Sequence, residues 1–174
     1  NEMTSEKYHP FLRVLHWLMY ALFTILFVLG AVMIEFKACC KPWTMYDLHK
    51  STGVIVFLLV LIRMLVRWQT PIPPPWVNTN AIFQRIARLV ILLMYVSMIL
   101  VPISGYALSN LYGHLVKLYG LPLPTLFPVA PAWQDFSSAT HFVLAYFFLA
   151  CIALHITGVI MHHLRGQELL RRIT

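Results

Sequence analysis

Residues 136–164 read FSSATHFVLAYFFLACIALHITGVIMHHL and contain no Lys, Arg, Asp or Glu. A helix needs about 20 consecutive apolar residues to cross the hydrocarbon core of a bilayer, and this stretch exceeds that length. Two histidines, His141 and His155, lie within it. The segment therefore predicts a membrane-spanning helix that carries two imidazoles into an environment where polar groups are costly.

Three further apolar segments have a comparable length. They are residues 11–34, 45–66 and 82–111. The second is uncharged only between Lys50 and Arg63, so we expect its ends to lie at the membrane surface. Together with residues 136–164, these segments predict an all-α transmembrane four-helix bundle. We treat residues 1–174 as its single domain.

The composition agrees with a bilayer as the solvent. Hydrophobic residues make up 60% of the chain and charged residues 11%, which is more apolar surface than a soluble domain of 174 residues buries. The formal net charge is +7. Because no soluble segment interleaves basic and aromatic residues, the charge favours flanks that face anionic lipid and argues against a nucleic-acid partner.

Two proline-rich segments separate the predicted spans. Residues 71–75, PIPPP, form a stiff linker that cannot be helical, and residues 120–131 form a second loop. Every arginine lies in the N-terminal segment, around the first linker or in the C-terminal tail. These residues are Arg13, Arg63, Arg67, Arg85, Arg88, Arg165, Arg171 and Arg172. By the positive-inside rule, we expect a multi-pass membrane protein with both termini in the cytoplasm.

Four histidines have a coherent pattern of depth in the predicted bundle. His16 and His155 lie toward the cytoplasmic side, and His49 and His141 toward the outer side. His141 and His155 are fourteen residues apart, which is close to four helical turns and about 21 Å of rise on one helix face. Two imidazole pairs stacked along a bundle are what two low-spin haems require, because two imidazoles fill both axial positions of the iron.

This ligation leaves no open position for oxygen, so the predicted role is outer-sphere electron transfer. The cysteines offer no alternative attachment for a haem. Cys39 and Cys40 are adjacent, and Cys151 lies inside an apolar run, so neither a zinc pattern nor a CxxCH site can be drawn. Any haem is expected to be bound non-covalently. The first apolar run exceeds the length of a signal-peptide core, and we expect it to be retained as a span.

The other histidines have plainer interpretations. His9 and His114 are expected at the surface. His162 and His163 lie at the cytoplasmic end of the last span, where a cation suits the helix dipole. Helix capping and headgroup contact are their default interpretation.

These residues and their order resemble those of the bacterial cytochrome b561 family over essentially the whole chain. The likeness is carried by Leu15-His16-Trp17, by His49-Lys50-Ser51-Thr52-Gly53 with Arg63, Arg67 and the linker, by Pro102-Ile103-Ser104-Gly105-Tyr106, and by the fourth span from His141 to His163. The resemblance implies two haems b between the helices, with His16 and His155 as ligands of one and His49 and His141 as ligands of the other.

The resemblance also implies electron transfer from superoxide or a periplasmic redox donor to ubiquinone or another quinone. In one branch of the family a histidine pair, here His162 and His163, lies near a proposed quinone site. Haem propionates need cationic or hydrogen-bonding partners at the membrane surfaces. By depth, the candidates are Lys50 and Tyr46 on the outer side and Arg13 and Arg67 on the cytoplasmic side.

Two other functions remain open at this point. The chain could be a haem-anchoring cytochrome b subunit of a larger dehydrogenase or hydrogenase. It could instead be a divalent-metal transporter that uses the same histidine pairs as a relay, although the spans lack the carboxylates that such paths usually recruit. The role of the adjacent Cys39 and Cys40 is also open, as a disulfide, a contact for an unusual donor, or neither.

Overall fold

A computed structural model describes residues 7–35, 42–74, 80–167 and 169–174. Its four long helices are α1 (Pro10–Glu35), α2 (Pro42–Gln69), α3 (Ala81–Leu111) and α4 (Gln134–Leu164). They contain 26 to 31 residues each, or about 39 to 46 Å at 1.5 Å per residue. All four are long and apolar enough to cross a membrane. The predicted all-α fold with four membrane-spanning helices is confirmed.

The helices form two close pairs. Helix α1 packs along α2, α3 packs along α4, and α2 joins the pairs through its contact with α3. Within the described residues, α4 has no extended backbone contact with α1 or α2, so a slot separates α4 from the first pair. We call the end of the bundle where α1 begins and α4 ends the inner end, and the opposite end the outer end.

A buried cluster fills the middle of this slot. Phe148 is 1% exposed and lies seven residues from both His141 and His155. Its ring meets Phe23 of α1 edge to face, with centroids 4.9 Å apart. The cluster is completed by Met19, Val56, Val60 and Met98. Because this layer is closely packed, the slot is divided into an inner and an outer space.

The faces of α4 that point away from the slot are apolar and exposed. Val143, Tyr146 and Leu154 each expose 60% or more of their surface. Large apolar side chains of the other three helices are also exposed, such as Val14, Leu65 and Leu92. Such a surface suits lipid, because contiguous apolar area of this extent is rare on proteins that face water.

A small hairpin covers the outer end. Strands β1 (Lys117–Leu118) and β2 (Leu121–Pro122) pair antiparallel, and both turn residues have positive φ, 47° at Tyr119 and 98° at Gly120. A two-residue turn of this kind matches the twist of the strands. The sequence predicted only a loop from residue 120 onward, because the pairing of two-residue strands leaves no periodic pattern.

One buried hydroxyl attaches this hairpin to α2. The Ser51 hydroxyl donates to the Lys117 carbonyl at 2.7 Å and accepts from the Tyr119 amide at 3.0 Å. Ser51 is two residues after His49 and is 1% exposed. The hairpin is therefore held directly above the outer space.

The C-terminal residues cover the inner end. A short 3-10 helix, Leu169–Arg172, follows α4, and the Tyr8 amide donates to the Arg172 carbonyl at 3.1 Å. The Trp17 Nε1–H donates to the Ile173 carbonyl at 3.0 Å. Residues 71–74 of the proline-rich linker are non-helical, as predicted. Helix α3 continues through Pro102.

Replacing Phe148 tests the packed layer. Phe148→Ala should lower the free energy of unfolding by about 3–5 kcal/mol, because it leaves a cavity where α1 and α4 meet. Phe147→Ala is the matched control, since its neighbouring ring is 45% exposed on the lipid side, and we expect a much smaller loss. Thermal unfolding in detergent measures both. Equal losses would show that the layer does not hold the helices together.

Candidate functional site

His16 of α1 and His155 of α4 face each other across the inner space. Their ring centroids are 6.4 Å apart, and the ring planes are inclined by 60°. A metal–imidazole bond is about 2 Å long, so two rings on opposite sides of one metal ion have centroids roughly 6 Å apart. The inner pair therefore has the spacing that a bis-imidazole iron site requires.

Arg63 of α2 lies beside this inner pair. Its Nη1 donates to the Leu12 carbonyl at 3.0 Å, and its Nε donates to the Tyr95 hydroxyl at 3.1 Å. The guanidinium interacts electrostatically with both His16 and His155. A fixed positive charge thus lies next to the two rings. Sequence analysis used Arg63 for topology and for the family resemblance, and did not place it beside the imidazoles, although a charge at the end of an apolar run was a signal for this role.

His49 of α2 and His141 of α4 form the second pair, in the outer space. The two rings are close enough to interact electrostatically. The Nδ1 atom of His49 is buried and has no hydrogen-bond partner in the described part of the chain. A Cβ added to Gly30 of α1 would lie 3.4 Å from the His49 Cε1. Gly30 therefore lies directly beside the His49 ring, and the Nδ1 atom of that ring has no partner among the described residues.

The His141 ring packs against helix α3. The Ser104 Oγ lies 2.9 Å from the His141 Nδ1. A Cβ added to Gly105 would lie 2.9 Å from the His141 Cε1, closer than such contacts allow, so glycine is required for the ring to rest on the α3 backbone. Sequence analysis noted Ser104 and Gly105 only within a family motif. Their contact with His141 depends on how α3 packs against α4.

The two pairs together give four imidazoles at two heights. Each pair extends from α4 across the slot, to α1 at the inner end and to α2 at the outer end. In residues 7–35, 42–74, 80–167 and 169–174, no three or more His, Cys, Asp or Glu side chains gather around a point where they could hold a metal ion. A planar macrocycle supplies four further ligands to its iron and needs only two from the protein, so the donor set fits a haem.

Lys50 and Tyr46 are both half-buried at the outer end of α2. Lys50 lines a cavity of about 420 Å³ at this end. The other lining residues are Asp47, Gly113, His114, Leu115 and Lys117. Two ammonium groups face one carboxylate in this lining, so the cavity favours anions.

Arg13 and Arg67 lie at the inner end of the bundle. The Arg67 guanidinium lies 5.8 Å from the centroid of the Tyr95 ring. The Nε of Arg13 is buried without a hydrogen-bond partner among the described residues. Tyr95 thus contacts both Arg67 and Arg63, and it links the inner-end cations to the inner imidazole pair.

His162 and His163 are at the inner end of α4. The His162 Nδ1 lies 2.6 Å from the Gln167 Oε1, so this ring connects the end of α4 to the residues that follow it, whereas His163 is exposed. His9 is exposed, and its Nδ1 accepts from the Phe11 amide at 3.3 Å. His114 is exposed at the outer cavity.

The structure describes one of the three cysteines. Cys151 is a buried free thiol of α4. Cys39 and Cys40 lie outside the described residues, so the alternatives that the sequence offers for their role are unchanged.

Comparison with known proteins identifies the family. Residues 7–174 match the family described as prokaryotic cytochrome b561. Cytochrome b561 homolog 2 of Escherichia coli (strain K12) is 29% identical over 168 residues, which cover 95% of this chain and 89% of the relative. A protein of Yersinia pestis named "probable superoxide oxidase CybB" is 26% identical over 172 residues, which cover 95% of each chain.

The match extends over all four helices and includes both imidazole pairs. Family membership implies b-type haem and electron transfer within a membrane, and the four apolar helices agree with a multi-pass protein of the inner membrane. The chain belongs to the prokaryotic cytochrome b561 family.

Proposed function

We propose that this chain binds two haems b and carries electrons from a donor at the outer end to a quinone at the inner end. His16 and His155 ligate the inner haem, and His49 and His141 ligate the outer one. The observation that carries the proposal is the pair of imidazoles that α4 presents at two heights, each with a histidine of another helix nearby.

When bound, each haem supplies an iron that accepts and releases one electron without binding substrate. The chain's own residues set the conditions for this transfer. Helix α4 separates the two ligating positions by about 21 Å along its axis. Phe148 and Phe23 exclude water from the layer between the two ligating positions. Few water molecules there have to reorient when an electron passes from one position to the other.

The outer cavity suits a small anionic donor such as superoxide. Lys50 and Lys117 outnumber Asp47 in its lining, and a cleft of net positive charge raises the local concentration of anions. In the proposed reaction, two superoxide anions each lose one electron and leave as O₂. The quinone takes up these two electrons and two protons to become a quinol. A periplasmic redox protein is the alternative donor.

The distribution of cations supports an orientation for this reaction. All eight arginines belong to segments at the inner end, whereas the described lysines of the outer end are Lys50 and Lys117. By the positive-inside rule, the inner end and both termini face the cytoplasm. Superoxide then arrives from the periplasm, and the quinone binds near His162 and His163.

Cationic or hydrogen-bonding side chains at both ends would hold the propionates of the two haems. Lys50 and Tyr46 are the proposed partners at the outer end, and Arg13 and Arg67 at the inner end. The buried, unpartnered Nε of Arg13 is a donor that a carboxylate would satisfy.

A haem-anchoring subunit of a larger dehydrogenase remains the main alternative, and a metal transporter is the alternative of another class. Each alternative can be distinguished from the proposed function by one measurement. Quinone reduction by the purified chain alone excludes an obligate anchor. Two low-spin b-type haems per chain exclude the transporter.

Single ligand replacements should remove one haem at a time. We expect His155→Ala and His16→Ala to lose the same spectral component, and His49→Ala and His141→Ala to lose the other, because each pair shares one iron. Haem content and reduced-minus-oxidised spectra of the purified chains measure this. His9→Ala is the control and should retain both haems. Loss of different components within one pair would contradict the pairing.

Two cation replacements should act on different haems. Lys50→Met should lower the outer midpoint potential and Arg63→Met the inner one, each by on the order of tens of millivolts, because a nearby positive charge disfavours the oxidised iron. Each variant is the control for the other in a potentiometric titration. If either replacement moves both components equally, the charge does not lie beside a single haem.

Superoxide-driven quinone reduction tests the donor, the acceptor and the quinone site. The purified chain should reduce ubiquinone when superoxide is supplied, and His162→Ala should be slower, with His9→Ala as the control at the same end of the bundle. Equal rates for His162→Ala and the parent chain would remove His162 from the quinone site. No reduction by the parent chain would exclude the superoxide-to-quinone reaction.

A further inference from the structure

We propose that Ser104 is a positioning residue that sets the proton position and the orientation of the His141 ring, and that it thereby lowers the midpoint potential of the outer haem below that of the inner one. This inference rests on the proposed function, because it takes His141 as an iron ligand. It adds a residue that is neither an iron ligand nor a partner of a propionate.

The hydrogen bonds of Ser104 determine which nitrogen of His141 carries the proton. The Ser104 Oγ lies 2.7 Å from the Val101 carbonyl oxygen, which can only accept. A hydroxyl has one hydrogen, so that hydrogen is used in the bond to Val101. In the 2.9 Å contact between Ser104 Oγ and His141 Nδ1, the ring nitrogen must then be the donor.

The Nδ1 atom of His141 therefore carries the hydrogen of the ring. In a neutral imidazole the other nitrogen, Nε2, then keeps its lone pair for a metal. Ser104 thus selects the tautomer that can ligate iron through Nε2.

Gly105 makes this bond possible. A Cβ at that position would lie 2.9 Å from Cε1 and 3.3 Å from Nδ1 of His141. The ring would have to move away from α3, and the contact with Ser104 would lengthen. The serine and the glycine are adjacent in the sequence and together fix both the distance and the tilt of one imidazole.

The inner pair has a different environment. In the part of the chain that the structure describes, neither His16 nor His155 has a hydrogen bond from a ring nitrogen to a protein acceptor, and the cation of Arg63 lies beside them. A hydrogen bond from Nδ1–H to an acceptor makes an imidazole a stronger donor to iron, which stabilises the oxidised state. The outer haem is therefore the better reductant, and electrons move inward.

The test compares Ser104→Ala with Ser104→Thr in the haem-loaded protein. Ser104→Ala should raise the midpoint potential of one haem component and leave the other unchanged. It should also change the g-values of one low-spin signal in electron paramagnetic resonance, because the ring is free to turn. Ser104→Thr keeps the hydroxyl and should restore both values. Thr140→Ala is the control, since the Thr140 hydroxyl bonds the Phe136 carbonyl of its own helix and has no other partner among the described residues.

The component that moves should be the one that Lys50→Met lowers and Arg63→Met leaves unchanged. Gly105→Ala should resemble Ser104→Ala, which provides a second variant if the first accumulates poorly. Unchanged potentials and g-values in both variants, or a shift of the inner component, would overturn the inference. A parent chain that binds fewer than two haems would instead contradict the proposed function, and the variants would then show whether Ser104 affects the haem that remains.

Discussion

An imidazole inside a lipid-embedded bundle must have a partner, because hydrocarbon offers none. Four histidines of this chain meet that constraint in pairs, and the architecture follows from it. Helix α4 carries one member of each pair and is held apart from α1 and α2 by the packed layer around Phe148. The same layer that stabilises the bundle therefore keeps two polar spaces separate, and each space is lined by residues suited to hold one iron.

The two ends of the bundle differ in ways that suit a direction of transfer. At the outer end, Ser51 holds the hairpin above the outer space, and a cavity with an excess of positive charge opens beside Lys50. At the inner end, the Ile173 carbonyl accepts a hydrogen bond from Trp17, and Arg63 donates to both Leu12 and Tyr95. A small anion therefore has access at the outer end, whereas the inner end is rich in arginine. This asymmetry supports the proposal that electrons enter at the outer haem.

Sequence patterns were sufficient for the helices, because apolar length and the absence of charge depend only on neighbours in the chain. The sequence also allowed the histidines to be grouped in pairs by their depth in the bundle, since the rise per residue of a helix is constant. The bond between Ser104 and His141 was not, because it joins residues 37 positions apart and depends on the packing of two helices. The same limit applies to Arg63, whose position beside His16 and His155 requires three helices in place. The hairpin turn at Tyr119 was missed because two-residue strands carry no periodicity.

The central claim is that two irons are each held between two imidazoles of this one chain. Near-infrared magnetic circular dichroism of the oxidised, haem-loaded protein tests it most directly, because the charge-transfer band of low-spin ferric haem reports both axial ligands and its intensity reports the number of haems. The account predicts bis-imidazole bands with the intensity of two haems per chain. A single haem per chain, a high-spin spectrum, or a band from histidine paired with another ligand would contradict it.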